Sequence, residues 1–579
     1  MLKKIYLLIG LLVATISHAQ LNTFSEGDVI SAEQMNENFQ ALINSNVIRA
    51  TTVNCDDGET INGAIEIGYN DITVSGTCSE NLLFSVWRDS SVDDRTPSGK
   101  LAPRYLRLSG ADTNAKIMDA SSNYDSVISV SGGTTLVLEG IIISGGQWGV
   151  SAARNSNLLM TGGVTVEGFT ERGIQVFDSS YLGVDEGGVT IQGGSSANYG
   201  IYLEMGANAW VHTTNISNIK TGVNLFGGSF LYLHDFSINA SNSGIRFSKS
   251  TVRQYGDGVG LIQGTSESAV QVGTGIFETS NEATLTISNL NGGKGINLWQ
   301  SQADINNLKM LDFNNKGSGD NPAIKFFGSN VGLGNIEISG STDGGLLNCD
   351  KSILNIENLN ISGNSDDALV GFFGCKIWMA NTVITGEANT LLDIGSSEIK
   401  IKNTSVTGKS YDSHLVYIGG NSGVSFRENS TITASEKNGI FLSGLSSLDF
   451  RDSTLSAKAS TLNIQENSLA TIRNSSVNAA DGYGVEVVRG SGLRIYAPST
   501  ILATNDPAIL ARQAAWVEVN DGLGTVINRT DSGADISLNS ASFMAVGEKN
   551  VIEEIECSFK SYVQADDGTV TTLSSSCTE

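Results

Sequence analysis

The chain has 579 residues, 66 of them glycine and only 5 proline, and carries 60 acidic against 35 basic residues for a formal net charge of −25. Glycine without a three-residue period or proline excludes collagen, and 40% hydrophobic residues are too many for a disordered acidic chain. The negative field repels nucleic acid and anionic lipid, and beyond the N-terminus no apolar run approaches a bilayer span, so neither a nucleic-acid partner nor a membrane span is expected.

Residues 1–19, MLKKIYLLIGLLVATISHA, pair two lysines with an apolar stretch and a small-residue end. This reads as a signal peptide cleaved after Ala19 and predicts a secreted protein, periplasmic or extracellular. Removing Lys3 and Lys4 leaves 33 basic and 60 acidic residues, a net −27. Such a charge disfavours polyanionic substrates unless a cation bridges them.

Residues 20–50 hold an amphipathic helical segment from Ile30 to Val47. Ser31 and Gln34 form a capping box, Ile30 and Met35 a hydrophobic staple, and Ala32, Met35, Phe39, Leu42 and Ile43 follow at helical spacing. Two readings stand: a helix packed on the side of the body, or a self-association helix making a homo-oligomer through residues 30–47. In residues 51–80, Ile61, Ala64 and Ile65 make a short apolar helical stripe, read as an N-terminal cap, and Asp71 to Glu80 begins the first coil.

Residues 81–545 are organised by a repeat. A small or polar residue followed by a β-branched residue or Leu recurs from Gly149-Val150, Gly173-Ile174 and Gly200-Ile201 onward. Later instances include Gly345-Leu346, Ala368-Leu369, His414-Leu415 and Asp535-Ile536. Val150 to Ile536 spans 386 residues in 16 intervals, a mean of 24.1. Each period holds two further strand signals: a Ser-x-apolar-x-apolar-x-Asn run such as Ser352 to Asn358 or Ser397 to Asn403, then a segment such as Thr382 to Gly386. Alternation gives each strand one buried and one exposed face. Three strands per ~24 residues, with Gly, Ser and Asn at the corners, describe a three-sided parallel β-solenoid. Leucine-rich repeats compete for the Leu354-Asn-Ile-Glu-Asn358 signature, but they have one strand per repeat and no room for the other two. The Asn ending the middle strand suits a sharp corner, because Asn tolerates left-handed backbone. Asn215, Asn289, Asn307, Asn335, Asn358, Asn381, Asn403 and Asn474 are therefore expected in one column, with Asp235 and Asp452 in the same slot.

The six cysteines fall in local pairs. Cys55–Cys78 and Cys557–Cys577 are the expected disulfides, and Cys349 with Cys375 stays open. Zinc is not expected, because no Cys-x-x-Cys occurs and the mature chain keeps only His212, His234 and His414. Acidic doublets such as Asp93-Asp94 and Asp566-Asp567 could take calcium. No calcium-loop pattern surrounds them, so they read as solvated charge and no cofactor is expected. Residues 546–579 depart from the repeat and read as a C-terminal cap.

With its cadence and its strand-ending asparagines, the chain resembles the right-handed parallel β-helix proteins of the pectin-lyase-like superfamily over residues 51 to 545. The resemblance implies an all-β fold and makes the small-apolar strand the first of each coil, the Ser-to-Asn strand the second and the one after it the third. It also implies that an enzyme would build its cleft on the first-strand face, where Glu204, Arg246 and Lys325 are the candidate catalytic residues. The polygalacturonase-like pattern is incomplete: Asp366-Asp367 is present without its His and Arg-Ile-Lys partners, and adjacent Asp residues at a corner point apart. On the second-strand face, Tyr181, Trp210 and Phe230 are expected at equivalent outward positions, with His212 and Tyr232 beside them. They form an aromatic strip that either binds sugar or is covered by another segment. Trp378 and Trp516 point outward on that face in isolation. The expected function is a secreted, non-catalytic β-helix, a rigid surface or extracellular element binding a polysaccharide or cell-surface glycan. The alternative is a polysaccharide lyase or glycoside hydrolase acting on the first-strand face.

Overall fold

The computed structural model describes residues 48–85, 103–120, 125–315, 321–520, 524–547, 550–558, 560–565, 569–574 and 577. The segments read as a signal peptide and as a helix from Ile30 to Val47, and the two acidic doublets, lie outside the described residues. The chain forms two compact units, the first ending at Ser237 and the second beginning at Ile238. Each is a stack of parallel coils, and together they hold about 19 turns of about 24 residues. Sheets one, two and three denote the first, second and third strand of each coil.

In the first unit, sheet one stacks Leu82, Ile128, Val150, Ile174, Ile201 and Val223 in one register column, all buried. In the second, Ile245, Val270, Ile296, Ile324, Leu347, Val370, Leu392 and Val416 do the same and continue to Ile555. Each inward side chain contacts its equivalents in the neighbouring coils. Burial of one such Val, Leu or Ile is worth ~1.5–3 kcal/mol, so the lumen columns hold the coils together. Phe426 and Phe450 extend this stacking in sheet two, with centroids 6.0 Å apart.

Three pairs read from the repeat slip by one residue. Leu347, Val370 and Val416 occupy the column position, not Leu346, Leu369 and Leu415. Leu346 and Leu347, Leu369 and Val370, and Leu415 and Val416 are all apolar and buried, so alternation alone could not choose between neighbours. Leu346, Leu369, Leu391 and Leu415 fill a corner slot held in most other coils by Gly or Ala. At Gly149 that slot is tight: a Cβ would stand 2.4 Å from Val166 Cγ1.

The corners are held by side chains in register. Buried serines that open the second strand accept hydrogen bonds from the backbone of the preceding coil: Ser329 N to Ser352 Oγ (3.0 Å), Ser397 N to Ser422 Oγ (3.2 Å) and Ser446 N to Ser468 Oγ (3.2 Å). At the other end of the strand, Asn335 donates to Asn307 and Asn358 to Asn335, each at 3.0 Å, and Asn403 donates to Asn381 at 2.8 Å. These asparagines have φ between 43° and 57°, which Asn adopts at low cost. Asn215 and Asp235 are not among the left-handed residues. Asn215 instead pairs with Thr190 inside the unbroken strand Asn208–Leu225.

At the N-terminal end the strand Ala50–Asn54 pairs with Asp71–Ser75, one rung earlier than the first expected coil. The helix Ile61–Ile67 buries Ile61 and Ala64, and Thr60 caps it by accepting from Gly63 N. The Glu80 carboxylate accepts from Ile61 N at 2.6 Å and Asn62 N at 3.0 Å, placing negative charge at the helix's orphan amides. Residues 546–579 are expected to depart from the repeat; among the described residues there, Val551–Cys557 pairs parallel with the strand Ile536–Asn539, and Tyr562–Ala565 with Phe543–Val546. Cys55–Cys78 and Cys557–Cys577 are disulfide-bonded, and so is Cys349–Cys375. Cys349 sits in the lumen column between Phe326 and Phe372, and Cys375 occupies a corner position opening its second strand, as the serines do elsewhere. Among the described residues no helix is long and apolar enough to cross a membrane.

Candidate functional site

The candidate catalytic residues of sheet one fall in both units. Glu204, in the first unit, accepts a hydrogen bond from the Tyr202 hydroxyl at 3.2 Å. Arg246 and Lys325, in the second, share an outward column of sheet one but are separated by Gln271 and Asn297, hence by ~14 Å along the stack. Lys325 lies near Lys294, whose pKa is lowered by burial and then by Lys325.

The aromatic residues of the first unit are exposed on sheet two, but in two columns. Tyr181 aligns with Asn208, and the Phe230 amide donates to Ala207 O, which puts Phe230 beside Asn208 as well. Trp210 aligns instead with Gly183. The Tyr181 ring leans over that glycine, where a Cβ would meet its Cε1 at 3.1 Å, so the ring reaches the neighbouring column without sharing its register. Trp210 and Tyr232 stack at 5.2 Å and 27°, and His212 and His234 at 4.3 Å and 20°. Rings stacked in this way cover one another's faces and turn edges outward. That weakens the strip as a platform for sugar C–H groups, which bind to open ring faces.

Sheet two of the second unit has a different surface. Lys402, Arg427, Arg451 and Arg473 occupy one outward register position in four consecutive coils, ~4.8 Å apart. Lys400 and Arg494 stand in the adjoining column with Ser425, Asp449 and Thr471. Like charges directly opposite on a sheet repel, so this column is unfavourable unless something offsets it. Asp449 is the local offset. Its carboxylate lies 3.1 Å from Arg427, 3.8 Å from Arg451 and 3.9 Å from Arg473. Three guanidiniums on one carboxylate leave a surplus of two positive charges (three minus one), on a chain whose total is −25. Lys402 pairs with Glu428 at 2.7 Å, and Arg473 stacks 4.3 Å from the Tyr496 ring.

Beside this column runs a shallow groove of about 270 Å³, lined by Glu398, Lys400, Gly423, Ser425, Ser447, Asp449, Leu469 and Thr471 among others. Its cause is visible in the sequence of outward residues: Gly423, Ser425 and Ser447 are small, between the longer Glu398 and Lys400 on one side and Leu469 on the other. Trp378, 38% exposed, aligns with Lys400 at one end. At the other, Trp516 lies over Gly492, where a Cβ would meet its ring at 2.2 Å, and Arg494 sits 5.4 Å from that ring. The groove lining thus combines the Lys400 cation, the Glu398 and Asp449 carboxylates and three hydroxyls, with the arginine column alongside and a tryptophan beyond each end. Sequence reading noted the two tryptophans as isolated and missed the cation column. The signal was present, as a basic residue at the sixth position of four successive second strands that open on Ser397, Ser422, Ser446 and Ser468.

Sheet one of the second unit holds a further feature. Asn348, Gly371, Asp393, Tyr417 and Phe441 succeed one another in register. Burial raises the Asp393 pKa to about 6, with a smaller contribution from the nearby Asp367 carboxylate. Asp367 belongs to the Asp366-Asp367 doublet, so one member of that pair does approach a second carboxyl group, from another coil. His414 stacks on Phe441 at 4.8 Å, and burial lowers its pKa.

A family model described as "Right handed beta helix region" matches residues 347–500 and 389–543. Searches of curated proteins and of solved structures returned no match. Parallel three-strand coils in both units, with this match over residues 347–543, give the chain a right-handed parallel β-helix fold.

Proposed function

We propose that the protein is an exported, non-catalytic β-helix that binds acidic glycans along sheet two of its second unit. The carrying observation is the Lys402–Arg427–Arg451–Arg473 column beside the groove. A polysaccharide lying along the stack repeats its carboxylates or sulfates on the scale of a few ångströms, as the coils repeat their cations. Guanidinium pairs bidentately with either group, and the charge surplus that destabilises the empty face favours the occupied one. Trp378 and Trp516 offer ring surface at the two ends, and the groove hydroxyls can orient sugar hydroxyls. Three disulfides and the N-terminal signal pattern accord with export.

The test is a binding titration with a polyuronate, a sulfated polysaccharide and a neutral polysaccharide, at low and high salt. Binding to one or both acidic polymers is expected to weaken with salt. Each exposed guanidinium contact removed should cost about 1 kcal/mol, roughly fivefold, so Arg451→Ala with Arg473→Ala should weaken binding roughly 25-fold. Equal affinity for the neutral polymer, or an unchanged affinity in the double variant, would refute the proposal.

A second reading rests on Asp393. A carboxyl group held near neutrality beside a second carboxylate, on an outward face, suits general acid–base cleavage of a glycan. Incubation with neutral and acidic polysaccharides should then release reducing ends or unsaturated sugars, and Asp393→Asn should abolish the release. No product from any polymer leaves the binding function standing alone.

A further inference from the structure

In the first unit, two imidazoles and a carboxylate converge although they are remote from the groove in sequence. His212 lies on the strand Asn208–Leu225 and His234 on the next second-strand segment, in Phe230–Ser248. The hydrogen bond that the Phe230 amide donates to Ala207 O sets the register that brings the two histidines side by side. Their rings are 4.3 Å apart and tilted by 20°, and Asp235 Oδ2 is 3.2 Å from His234 Nδ1. One ligand atom from each of His212, His234 and Asp235 lies within 4.8 Å of the others. The His234 side chain is 15% exposed and that of Asp235 44%, so the group is walled on one side and open to ions on the other.

We propose that His212, His234 and Asp235 form a binding site for a divalent first-row transition metal of the zinc type. Two imidazoles and one carboxylate are a borderline donor set, which suits Zn²⁺ and excludes a preference for Ca²⁺, an ion that takes six or more oxygens. An imidazole holds a metal in its own ring plane, so the two stacked rings must swing out of parallel about their side-chain torsions as the three atoms close by roughly 1 Å to reach metal–ligand distances of ~2.0–2.2 Å. Water completes the tetrahedron from the exposed side. Adjacent strands supply both histidines, so the ion would also link two coils. The sequence pointed away from zinc because it shows no close-spaced ligand motif: 22 residues separate the two histidines, and only the winding of the coil brings them together.

The experiment titrates chelator-treated protein with Zn²⁺ by calorimetry, with Ca²⁺ as the control ion. One Zn²⁺ per chain is expected, with at least tenfold weaker binding in His212→Gln and in His234→Gln. His414→Gln, on the third histidine of the mature chain, should bind as the parent does. The Trp210–Tyr232 stack lies two residues before the histidine pair, so Ni²⁺ or Cu²⁺ should also quench Trp210 fluorescence in the unsubstituted protein. The quench should disappear in Trp210→Phe, a readout that needs no histidine variant to fold. Absence of Zn²⁺ binding, or full binding retained in the double histidine variant, would overturn the proposal.

Discussion

Replacing Gly363 by alanine should open the second unit at one defined level. Gly340, Gly363, Gly386 and Gly408 stack in register in sheet three. A Cβ on Gly363 would stand 1.9 Å from Gly340 O, against the more than 3 Å that a carbon and an oxygen need, and Gly363 also has φ of +159°. No flexible side chain can move aside, because the obstacle is backbone. The coil must shift by more than 1 Å and give up ladder hydrogen bonds to its neighbour. Two buried bonds left unmade cost ~1–3 kcal/mol each, and residual backbone strain a further ~1–3 kcal/mol, which places the loss near 4 kcal/mol or above. An unfolding entropy of ~2.1 cal/mol/K per residue over the roughly 340 residues of the second unit gives ~0.7 kcal/mol/K, so Tm should fall by about 5–6 °C. Because coils touch only their neighbours, amide exchange should quicken around the strand Ile353–Phe373 and remain slow near Leu469–Arg473. Gly371→Ala is the control: its Cβ would meet the Phe373 ring at 3.0 Å and Asn348 Nδ2 at 3.9 Å, side-chain atoms that can move aside. If Gly363→Ala melted within 1 °C of the parent, or if both variants lost equally, the backbone-clash argument would be wrong.

Asp393→Asn should stabilise the protein in a pH-dependent way. The folded-state pKa of about 6 exceeds the ordinary 3.8, so ionising Asp393 opposes folding; this cost is absent below pH 3.8, grows up to about pH 6 and is constant above. The substitution should gain up to about 3 kcal/mol at pH 8 and nothing near pH 3.5, and equal melting shifts at both pH values would contradict the burial that raises the pKa. Deleting residues 30–47 should lower the mass measured by light scattering if that helix joins copies of the chain. An unaltered mass would leave it as a segment packed on its own body.

The period of about 24 residues, the three strands per coil and two of the three disulfides were legible in the sequence. Each rests on local chemistry repeated many times: alternation decides which way a side chain points, and a Gly or Asn at a corner reports a backbone angle. The third disulfide, the one-residue slips at Leu346, Leu369 and Leu415, and the continuation of the coils past residue 546 were not legible. There, adjacent apolar residues satisfy two registers equally, or the repeat weakens below recognition. The candidate sites depended still more on tertiary structure. Net charge is a sum over the chain, and it pointed away from polyanions. Register, a property of neighbouring coils, gathers Arg427, Arg451 and Arg473 around Asp449, three cations to one carboxylate. Likewise His212 and His234 are unremarkable 22 residues apart and become neighbours only when one turn of the helix lies between them. The sequence alone thus determined the coil, because each residue's inward or outward choice is local. Only the tertiary structure decided what each face carries, because a face is composed of residues that the chain visits once per turn.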